Sequence, residues 1–258
     1  MKNNIEHFLK SQLNTDFVGK SIHYYPSVTS TMEVAKNLAR EGAAEGTTII
    51  ADQQTSGKGR AGRTWLSPDS NLSLSIILYP PLNCLTKLIM IASVAVVRAI
   101  KSTTCIDSQI KWPNDVMING KKVCGILIEN ELKGNTVDFS IIGIGININL
   151  DPTAFPEISA LATSLSNELG KEVSTAEVAR SVLSELEKLY IEAKSGGSVY
   201  REWQKNMETI GKLVKVQYLE SLEQGQAEAV TREGNLVLRH SDGTVSEIIA
   251  GDVTLIKD

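Results

Sequence analysis

The chain has 258 residues, of which 42% are hydrophobic and 22% are charged, and its formal net charge at pH 7 is −4. This composition is ordinary for a globular protein that is large enough to bury a full core. A mildly acidic chain argues against non-specific nucleic-acid binding as the main role, because domains with that role are usually basic. The three cysteines form no C-x-x-C pair, so the sequence predicts neither a disulfide framework nor a zinc site.

The chain shows no sign of a targeting or membrane segment. Its first residues lack the apolar core of a signal peptide. The most apolar run, residues 88–97, is too short to cross a bilayer as a helix. We therefore expect a cytoplasmic protein without a membrane partner.

The first 209 residues show strand and helix patterns in turn. In chain order they predict a strand at 22–25, a helix over 32–39, strands at 47–51 and 72–79, a buried helix over 85–100, a strand at 110–112, a hairpin of 116–118 and 123–128, a strand region at 137–150, and helices over 176–193 and 200–207. Pro26 is expected to end the first strand, and Thr29, Ser30 and Thr31 offer side-chain oxygens to cap the first helix. Asn119 and Gly120 are typical of a type I′ hairpin turn.

The pattern changes near residue 210. Short alternating segments then recur at roughly ten-residue spacing between Gly and Asp turns, which is typical of a small all-β barrel. The predicted fold class is therefore α+β, with a mixed sheet and flanking helices in a catalytic domain (residues 1–209) and a small C-terminal all-β barrel (residues 210–258).

Residues 54–65, Q-T-S-G-K-G-R-A-G-R-T-W, carry the strongest chemical signal. Lys58, Arg60 and Arg63 lie within six residues and alternate with glycines. Glycine lets backbone N–H groups approach an anion closely, and lysine and arginine add charge-assisted hydrogen bonds to carboxylate or phosphate. The loop therefore predicts a site for a small anion such as a nucleotide.

This basic loop is not a P-loop, although residues 57–64 read G-x-x-x-x-G-R-T. A P-loop has lysine where Arg63 stands, and a helix follows it directly. Here a turn and then the alternating pattern at 72–79 follow, so the loop joins one strand to another.

Three further segments carry polar residues or glycines at strand ends or within strands, where they could contact a ligand. Residues 111–115 read K-W-P-N-D, which is also typical of an ordinary turn. Residues 121–129 begin with two lysines, for which an exposed hairpin position is the simpler interpretation in isolation. Residues 143–149 read G-I-G-I-N-I-N, and glycines inside a strand often mark the close approach of a ligand or backbone.

Taken together and in this order, these segments resemble one family, the biotin–protein ligases. The resemblance runs from about residue 24 to residue 256 and is most specific in the basic loop and the K-W-P-N-D block. It also includes the Ser-Thr helix start, the K-x-x-G-I-L-x-E strand at 122–129, the G-I-G-x-N strand at 143–147 and the C-terminal barrel.

The resemblance implies a two-step reaction. Biotin and ATP, with Mg²⁺, give biotinyl-5′-AMP and pyrophosphate, and a lysine of a biotin carboxyl carrier protein or domain then takes the biotinyl group. An attacking carboxylate and a polyphosphate repel each other, so cations must bring them together. The adenylate is itself the activated intermediate, so Cys124 is expected to pack rather than to react.

The resemblance also implies roles for individual residues. The residues implied for biotin are Ser30, Thr31, Gln54, Gly57, Lys58, Gly59, Arg60, Lys122 and Gly125. Those implied for ATP are Arg63, Trp65, Lys111, Asn114 and Asn147. Within these sets Lys111, Arg60 and Lys122 are the expected catalytic residues, and Asp115 is the expected metal ligand.

The chain departs from the family pattern in two respects. Lys58 stands where many members have arginine, so a point charge replaces a bidentate group. Some members also carry an N-terminal helix-turn-helix domain, whereas only residues 1–21 precede the first predicted strand. We therefore expect no DNA-binding role. Members of the family pair through sheet edges, and a homodimer is compatible with the resemblance, but no such edge is identifiable from the sequence.

Two alternative functions remain open on the residues alone. A lipoate or octanoate ligase or transferase has a related catalytic architecture, against which Trp65 and the K-W-P-N-D block favour biotin. A nucleic-acid-binding module could use the basic loop and the small barrel, but the net charge and the lack of interleaved aromatic residues argue against it.

Overall fold

The computed structural model describes residues 5–69, 71–218 and 220–256. The first sheet contains β1 (Ile22–Val28), β2 (Thr48–Gln54), β3 (Leu72–Leu78), β4 (Gln109–Lys111), β5 (Asp115–Ile118), β6 (Lys121–Lys133) and β7 (Thr136–Ile146). The second contains β8 (Leu213–Tyr218), β9 (Ser221–Val230), β10 (Leu236–Arg239), β11 (Val245–Ile248) and β12 (Asp252–Leu255). The helices are α1 (Ile5–Gln12), α2 (Thr31–Arg40), α3 (Leu88–Thr104), α4 (Leu165–Leu169), α5 (Thr175–Lys194) and α6 (Tyr200–Lys205).

The two sheets confirm the predicted fold class. The first has the strand order β1-β2-β3-β7-β6-β5-β4 and is mixed, because β1 and β2 are parallel and the other pairs are antiparallel. The second is antiparallel throughout, in the order β11-β10-β9-β8-β12. One hydrophobic core runs from the first sheet into the second. The division of the chain at residue 210 therefore stays a prediction.

Strand β1 continues through Pro26, which the sequence predicted to end it. This strand lies at the edge of the sheet and pairs only with β2. Tyr25 and Ser27, on either side of the proline, both have partners in β2. Proline is tolerated here because an edge strand can leave one N–H position without a ladder bond.

Strand pairing brings the separate sequence motifs into one row across the sheet. The hairpin between β5 and β6 has φ values of 50° at Asn119 and 75° at Gly120, as a type I′ turn requires. Its register places Asp115 opposite Gly125, and the next ladder places Gly125 opposite Gly145. The K-W-P-N-D block and both glycine-containing strands therefore meet at the same level of the sheet.

Helix α3 belongs to the core. Within the described ranges, Leu82–Thr104 is the one helical stretch that is long and apolar enough to cross a membrane. It is longer than residues 88–97, the apolar run that was expected to be too short. Most residues of α3 are buried, and the helix packs against α5. A buried core helix passes the same test of length and composition.

Candidate active site

The basic loop, the start of α2 and the glycine-containing strands enclose a cleft of about 140 Å³. Most of the residues predicted for the site line this cleft. They are Thr31, Gln54, Lys58, Gly59, Arg60, Arg63, Trp65, Asn114, Lys122 and Gly125. The lining extends to Gly145, so the cleft brings together parts of the chain that are up to 114 positions apart in sequence, from Thr31 to Gly145.

Two glycines form the floor of the cleft beneath Trp65. A Cβ atom on Gly145 would lie 2.4 Å from Trp65 Nε1, and one on Gly125 would lie 3.1 Å from Trp65 Cζ3. The indole therefore occupies the space that side chains would otherwise fill. Trp65 Nε1 is buried and has no hydrogen-bond partner, so a donor is available inside the cleft. The close approach of Trp65 explains why glycine stands at Gly125 in β6 and at Gly145 in β7.

One corner of the cleft is polar but uncharged. Gln54 Oε1 accepts hydrogen bonds from Thr31 N at 2.9 Å and from Thr31 Oγ1 at 3.2 Å. Ser75 Oγ donates to Thr31 Oγ1 at 2.8 Å, so three elements of the sheet and helix hold this corner. These contacts fix the orientation of the Gln54 amide and leave its Nε2 group as a donor.

Ser30 lies beside this corner with its hydroxyl unsatisfied. It occupies the N-cap position of α2, but its side chain makes no capping hydrogen bond. The residue is 1% exposed, and its Oγ atom has no partner. The predicted capping by Ser30 is therefore wrong, because its hydroxyl forms no hydrogen bond with the helix N–H groups. A buried hydroxyl without a partner is expected where a ligand supplies one.

The opposite side of the cleft is cationic, and each cation of the basic loop meets a partner from another element. Lys58 forms an ion pair with Glu33 of α2. Arg63 Nη2 donates to Asp252 Oδ1 at 2.6 Å. Arg60 donates hydrogen bonds to Asn114 Oδ1 and to Gly251 O, which directly precedes β12. The loop is thus held over the cleft by contacts with three separate elements.

Lys122 is held between Asp115 and Trp65. Its Nζ atom lies 2.6 Å from Asp115 Oδ1 and 5.4 Å from the centroid of the Trp65 ring. The Asp115 oxygen is buried, and its contact with Lys122 is an ion pair without the alignment of a hydrogen bond. The ammonium group therefore faces the cleft beside the glycine floor.

Burial has different consequences for two ionisable groups of the site. Burial lowers the pKa of the Arg60 guanidinium, whereas Asp252 raises it and Arg63 lowers it. The group still stays charged, because the ordinary pKa of arginine lies far above neutral pH. Burial also raises the pKa of the Cys124 thiol well above its usual range. Cys124 is therefore a neutral thiol in the core, which agrees with the expected packing role.

Some residues predicted for the site lie apart from the cleft lining. Asn147 is buried, and both polar atoms of its side chain are engaged, with Asn71 Nδ2 at 3.1 Å and with Thr163 O at 3.0 Å. Lys111 is half-buried at the end of β4 and does not line the cleft within the described structure. Their predicted contacts with ATP stay predictions.

The described residues contain no preformed cluster of metal-binding side chains. In the described part of the chain no group of three or more His, Cys, Asp or Glu side chains could hold a metal ion. Asp115, the predicted ligand, is already paired with Lys122. Mg²⁺ commonly binds one or two carboxylates together with substrate phosphates. A metal at this site would therefore depend on the phosphates of ATP, and the role of Asp115 stays a prediction.

Sequence reasoning missed two kinds of residue. Apolar side chains of α2 and β7, such as Met32 and Ile144, also line the cleft, and their strand and helix periodicity could have indicated it. Glu33 and Asp252 hold the cations of the loop, but they lie 25 and 189 positions from their partners in sequence. No local pattern in the chain indicates such a long-range pairing.

Comparisons with known proteins identify the family of the chain. The profile of the Biotin/lipoate A/B protein ligase family matches residues 24–147, and that of the Biotin protein ligase C terminal domain matches residues 209–255. The bifunctional ligase/repressor BirA of Bacillus subtilis (strain 168) is 37% identical over 249 residues, which cover 94% of this chain and 76% of that protein. The chain belongs to the biotin protein ligase family.

Further members of the family support the same assignment. The biotin–[acetyl-CoA-carboxylase] ligase of Mycobacterium tuberculosis (strain ATCC 25618 / H37Rv) is 28% identical, and the match covers 83% of this chain and 80% of that protein. The structure of the biotin protein ligase from Aquifex aeolicus in complex with biotin and ATP superposes with a TM-score of 0.77. It is 30% identical, and the match covers 93% of this chain and all of that one.

Proposed function

We propose that this protein is an ATP-dependent biotin–protein ligase that forms biotinyl-5′-AMP and transfers the biotinyl group to a lysine of an acceptor protein. The observation that carries the proposal is the division of a single cleft into an uncharged polar corner and a cationic side. Biotin has the matching division, since a neutral cyclic urea lies at one end and a carboxylate at the other. The polyphosphate of ATP adds further negative charge at the cationic side.

The uncharged corner suits the urea group of biotin. A cyclic urea presents one carbonyl acceptor and two N–H donors. The Gln54 Nε2 group can donate to the carbonyl, and the unpartnered Ser30 hydroxyl can donate or accept. Because Thr31, itself bonded to Ser75, already holds the Gln54 amide in place, little ordering of that group is needed when the ligand binds.

The cationic side suits the first chemical step. A carboxylate oxygen of biotin attacks the α-phosphorus of ATP, the bond from that phosphorus to the bridging oxygen of pyrophosphate breaks, and pyrophosphate leaves. Both reactants are anions, so the reaction requires positive groups that reduce their repulsion and stabilise charge at the α-phosphate. Arg60, Lys122 and Lys58 supply that charge from three directions around the cleft.

The second step needs no nucleophile from this chain. The ε-amine of the acceptor lysine, in its uncharged form, attacks the carbonyl carbon of the mixed anhydride. An amide bond forms, the bond between that carbon and the phosphate oxygen breaks, and AMP leaves while the amine loses its proton. The buried and neutral thiol of Cys124 takes no part in this step.

The experiment that tests this function compares two acids as substrates. Pyrophosphate release from ATP is measured with biotin and, in a matched reaction, with lipoate or octanoate. We expect release that depends on biotin alone and a biotinyl-AMP product that mass spectrometry identifies. Release that depends on lipoate or octanoate and not on biotin would replace the proposal with the related ligase function. Micromolar binding to nucleic acid without binding of biotin would replace it with the nucleic-acid-binding alternative.

The finer parts of the function are also proposals. We expect the acceptor to be a biotin carboxyl carrier protein or domain of a biotin-dependent carboxylase, as the name of the Mycobacterium tuberculosis relative suggests. We expect ATP to act with Mg²⁺, the protein to be cytoplasmic, and DNA to be no partner. A gel-shift assay with biotin-operon promoter DNA tests the last expectation, and specific binding would contradict it.

A further inference from the structure

The second sheet reaches the active-site loop through the first residues of β12. Asp252 Oδ1 accepts a hydrogen bond from Arg63 Nη2 at 2.6 Å and lies 3.7 Å from Arg60 Nη1. The preceding carbonyl, Gly251 O, accepts a hydrogen bond from Arg60 Nη1 at 3.2 Å. Two consecutive residues of the C-terminal sheet therefore contact both arginines of the basic loop.

Arg60 links the two sheets across the mouth of the cleft. Besides Gly251, its Nη1 atom donates to Asn114 Oδ1 at 3.1 Å, and Asn114 Nδ2 donates to Ile126 O at 2.8 Å. Asn114 is thus anchored to β6, next to the glycine floor. One end of this link is fixed by the first sheet and the other by β12.

The carboxylate of Asp252 also offsets a local repulsion. Arg60 and Arg63 are three positions apart in one loop, and like charges at this distance disfavour a common orientation. A single carboxylate oxygen in contact with both of them reduces that repulsion. Arg63 also donates from Nε to the carbonyl of Arg60 at 3.2 Å, so the loop closes on itself at the same point.

Packing holds the backbone of this segment in place. A Cβ atom on Gly251 would lie 2.6 Å from Val216 Cγ1, so only glycine allows β12 to approach β8 this closely. The Gly251 carbonyl and the Asp252 carboxylate are therefore presented to the loop by a packed strand end. The loop itself is more open to solvent, since the Arg63 side chain is 58% exposed.

We propose that Asp252 is a positioning residue that keeps Arg60 and Arg63 over the cleft and thereby retains the acyl-adenylate until the acceptor lysine arrives. The inference rests on the proposed function, because it concerns the intermediate of that reaction. It assigns a role to the C-terminal sheet, which contributes an anchor for the loop that covers the site.

The ion pair between Asp252 and Arg63 is exposed, so a role in positioning the loop can be distinguished from a role in stabilising the fold. Exposed ion pairs contribute little to the free energy of unfolding. Removing the Asp252 charge should therefore leave the folded protein intact and change the hold of the loop on its ligand. The uncharged corner, which is proposed for the urea end of biotin, is held by Thr31, Gln54 and Ser75, so the affinity for biotin alone should depend less on Asp252 than retention of the adenylate does.

The test compares three variants with the wild type. Asp252→Asn removes the charge and keeps the shape, and Asp252→Glu keeps the charge. Asp242→Asn is the matched control, because Asp242 lies in an exposed turn of the same sheet and, within the described structure, its side chain accepts hydrogen bonds from Thr244. The measurements are the rate of biotinyl-AMP release after it forms from biotin and ATP, the KM for ATP, the affinity for biotin alone and the melting temperature.

We expect Asp252→Asn to release biotinyl-AMP about fivefold faster, the upper end of the range for an exposed ion pair, with a higher KM for ATP. Its affinity for biotin should change less than twofold, and its melting temperature should equal that of the wild type. Asp252→Glu should recover most of the retention, and Asp242→Asn should behave as the wild type. In a background that carries Arg63→Gln, the additional effect of Asp252→Asn should be smaller, since its main partner is then absent.

Two results would overturn the inference, and a third would overturn the proposed function. Equal release rates for the wild type and Asp252→Asn would overturn the inference and leave the proposed function intact. A loss of biotin affinity in step with the loss of retention would also overturn it, because Asp252 would then act through general stability. Absence of biotinyl-AMP from the wild-type reaction would instead overturn the proposed function.

Discussion

The two sides of the cleft are built by different means. The uncharged corner consists of the buried Ser30 and Thr31 and the partly buried Gln54, and neutral hydrogen bonds between two strands and the start of α2 hold Thr31 and Gln54. The cationic side consists of partly exposed groups of the basic loop, which are held by ion pairs such as Arg63 with Asp252. The first side exists before any ligand arrives, whereas the second is kept in place by contacts that a ligand anion can join or replace.

This difference predicts which side of the cleft mainly determines the affinity for biotin and which mainly determines the retention of the adenylate. A buried hydroxyl without a partner, such as that of Ser30, costs about 1–3 kcal/mol, which a hydrogen bond from the ligand recovers. Exposed ion pairs each contribute about 1 kcal/mol or less and are weakened by salt. Affinity for biotin should therefore depend on the corner, and retention of the adenylate should depend on the loop.

The largest effect should come from Gln54→Leu, which disrupts the preformed corner. This change removes the acceptor of the Thr31 backbone N–H and also the donor proposed for the urea carbonyl. Sites that recognise a ligand through buried hydrogen bonds lose much affinity when one partner is missing, and we expect about a 100-fold weaker affinity for biotin. Calorimetry with biotin alone measures it. An affinity within twofold of the wild type would show that the corner does not bind the urea.

A smaller effect is expected from Lys111→Ala at the far end of the row of motifs. Lys111 lies opposite Asp115 in the β4–β5 ladder but outside the cleft lining of the described structure. If it contacts the α-phosphate during adenylation, the rate of biotinyl-AMP formation should fall about tenfold, while biotin binding stays unchanged. Single-turnover kinetics and calorimetry measure the two quantities. Equal losses in both would contradict the role assigned to Lys111.

Some features of the site could be predicted from the sequence, and others could not. The Asn119-Gly120 turn and the glycines of β6 and β7 were predictable, because each has a local conformational or steric cause. The contacts that hold the loop were not predictable. Asp252 meets Arg63 only because the second sheet packs against the first, and that arrangement depends on the whole core.

The start of α2 and the edge strand show a second limit. Ser30 has the residue type and position of a helix cap, so local rules predict capping. In the structure its hydroxyl stays unpartnered beside the cleft, which indicates that a local preference is left unused at a ligand site. Pro26 was predicted to end β1, because local rules contain no information on which strand will lie at the edge.

Ionic strength should distinguish the two sides with no change to the chain. The Debye length falls from about 10 Å at 0.1 M salt to about 4–5 Å at 0.5 M, so exposed ion pairs weaken while buried neutral hydrogen bonds do not. Over this range we expect biotinyl-AMP release to accelerate about threefold and biotin affinity to change less than twofold. Release rates from a preformed complex and calorimetry at each salt concentration provide the test. Parallel changes in both would show that the two sides are not independent.

The smallest effect is expected from Lys58→Arg, which restores the residue that many members of the family have. Lysine offers a point charge, whereas arginine offers a planar pair of donors that can bind a carboxylate or phosphate bidentately. One additional hydrogen bond from this exposed position to the adenylate should slow its release by about twofold, which corresponds to about 0.5 kcal/mol. Lys58→Gln is the matched control without charge and should speed release.

Glu33 already pairs with residue 58, and an arginine bound tightly to Glu33 would be held away from the ligand. Faster release from Lys58→Arg, together with slower release once Glu33→Gln is added, would therefore show that Glu33 competes with the adenylate for this cation.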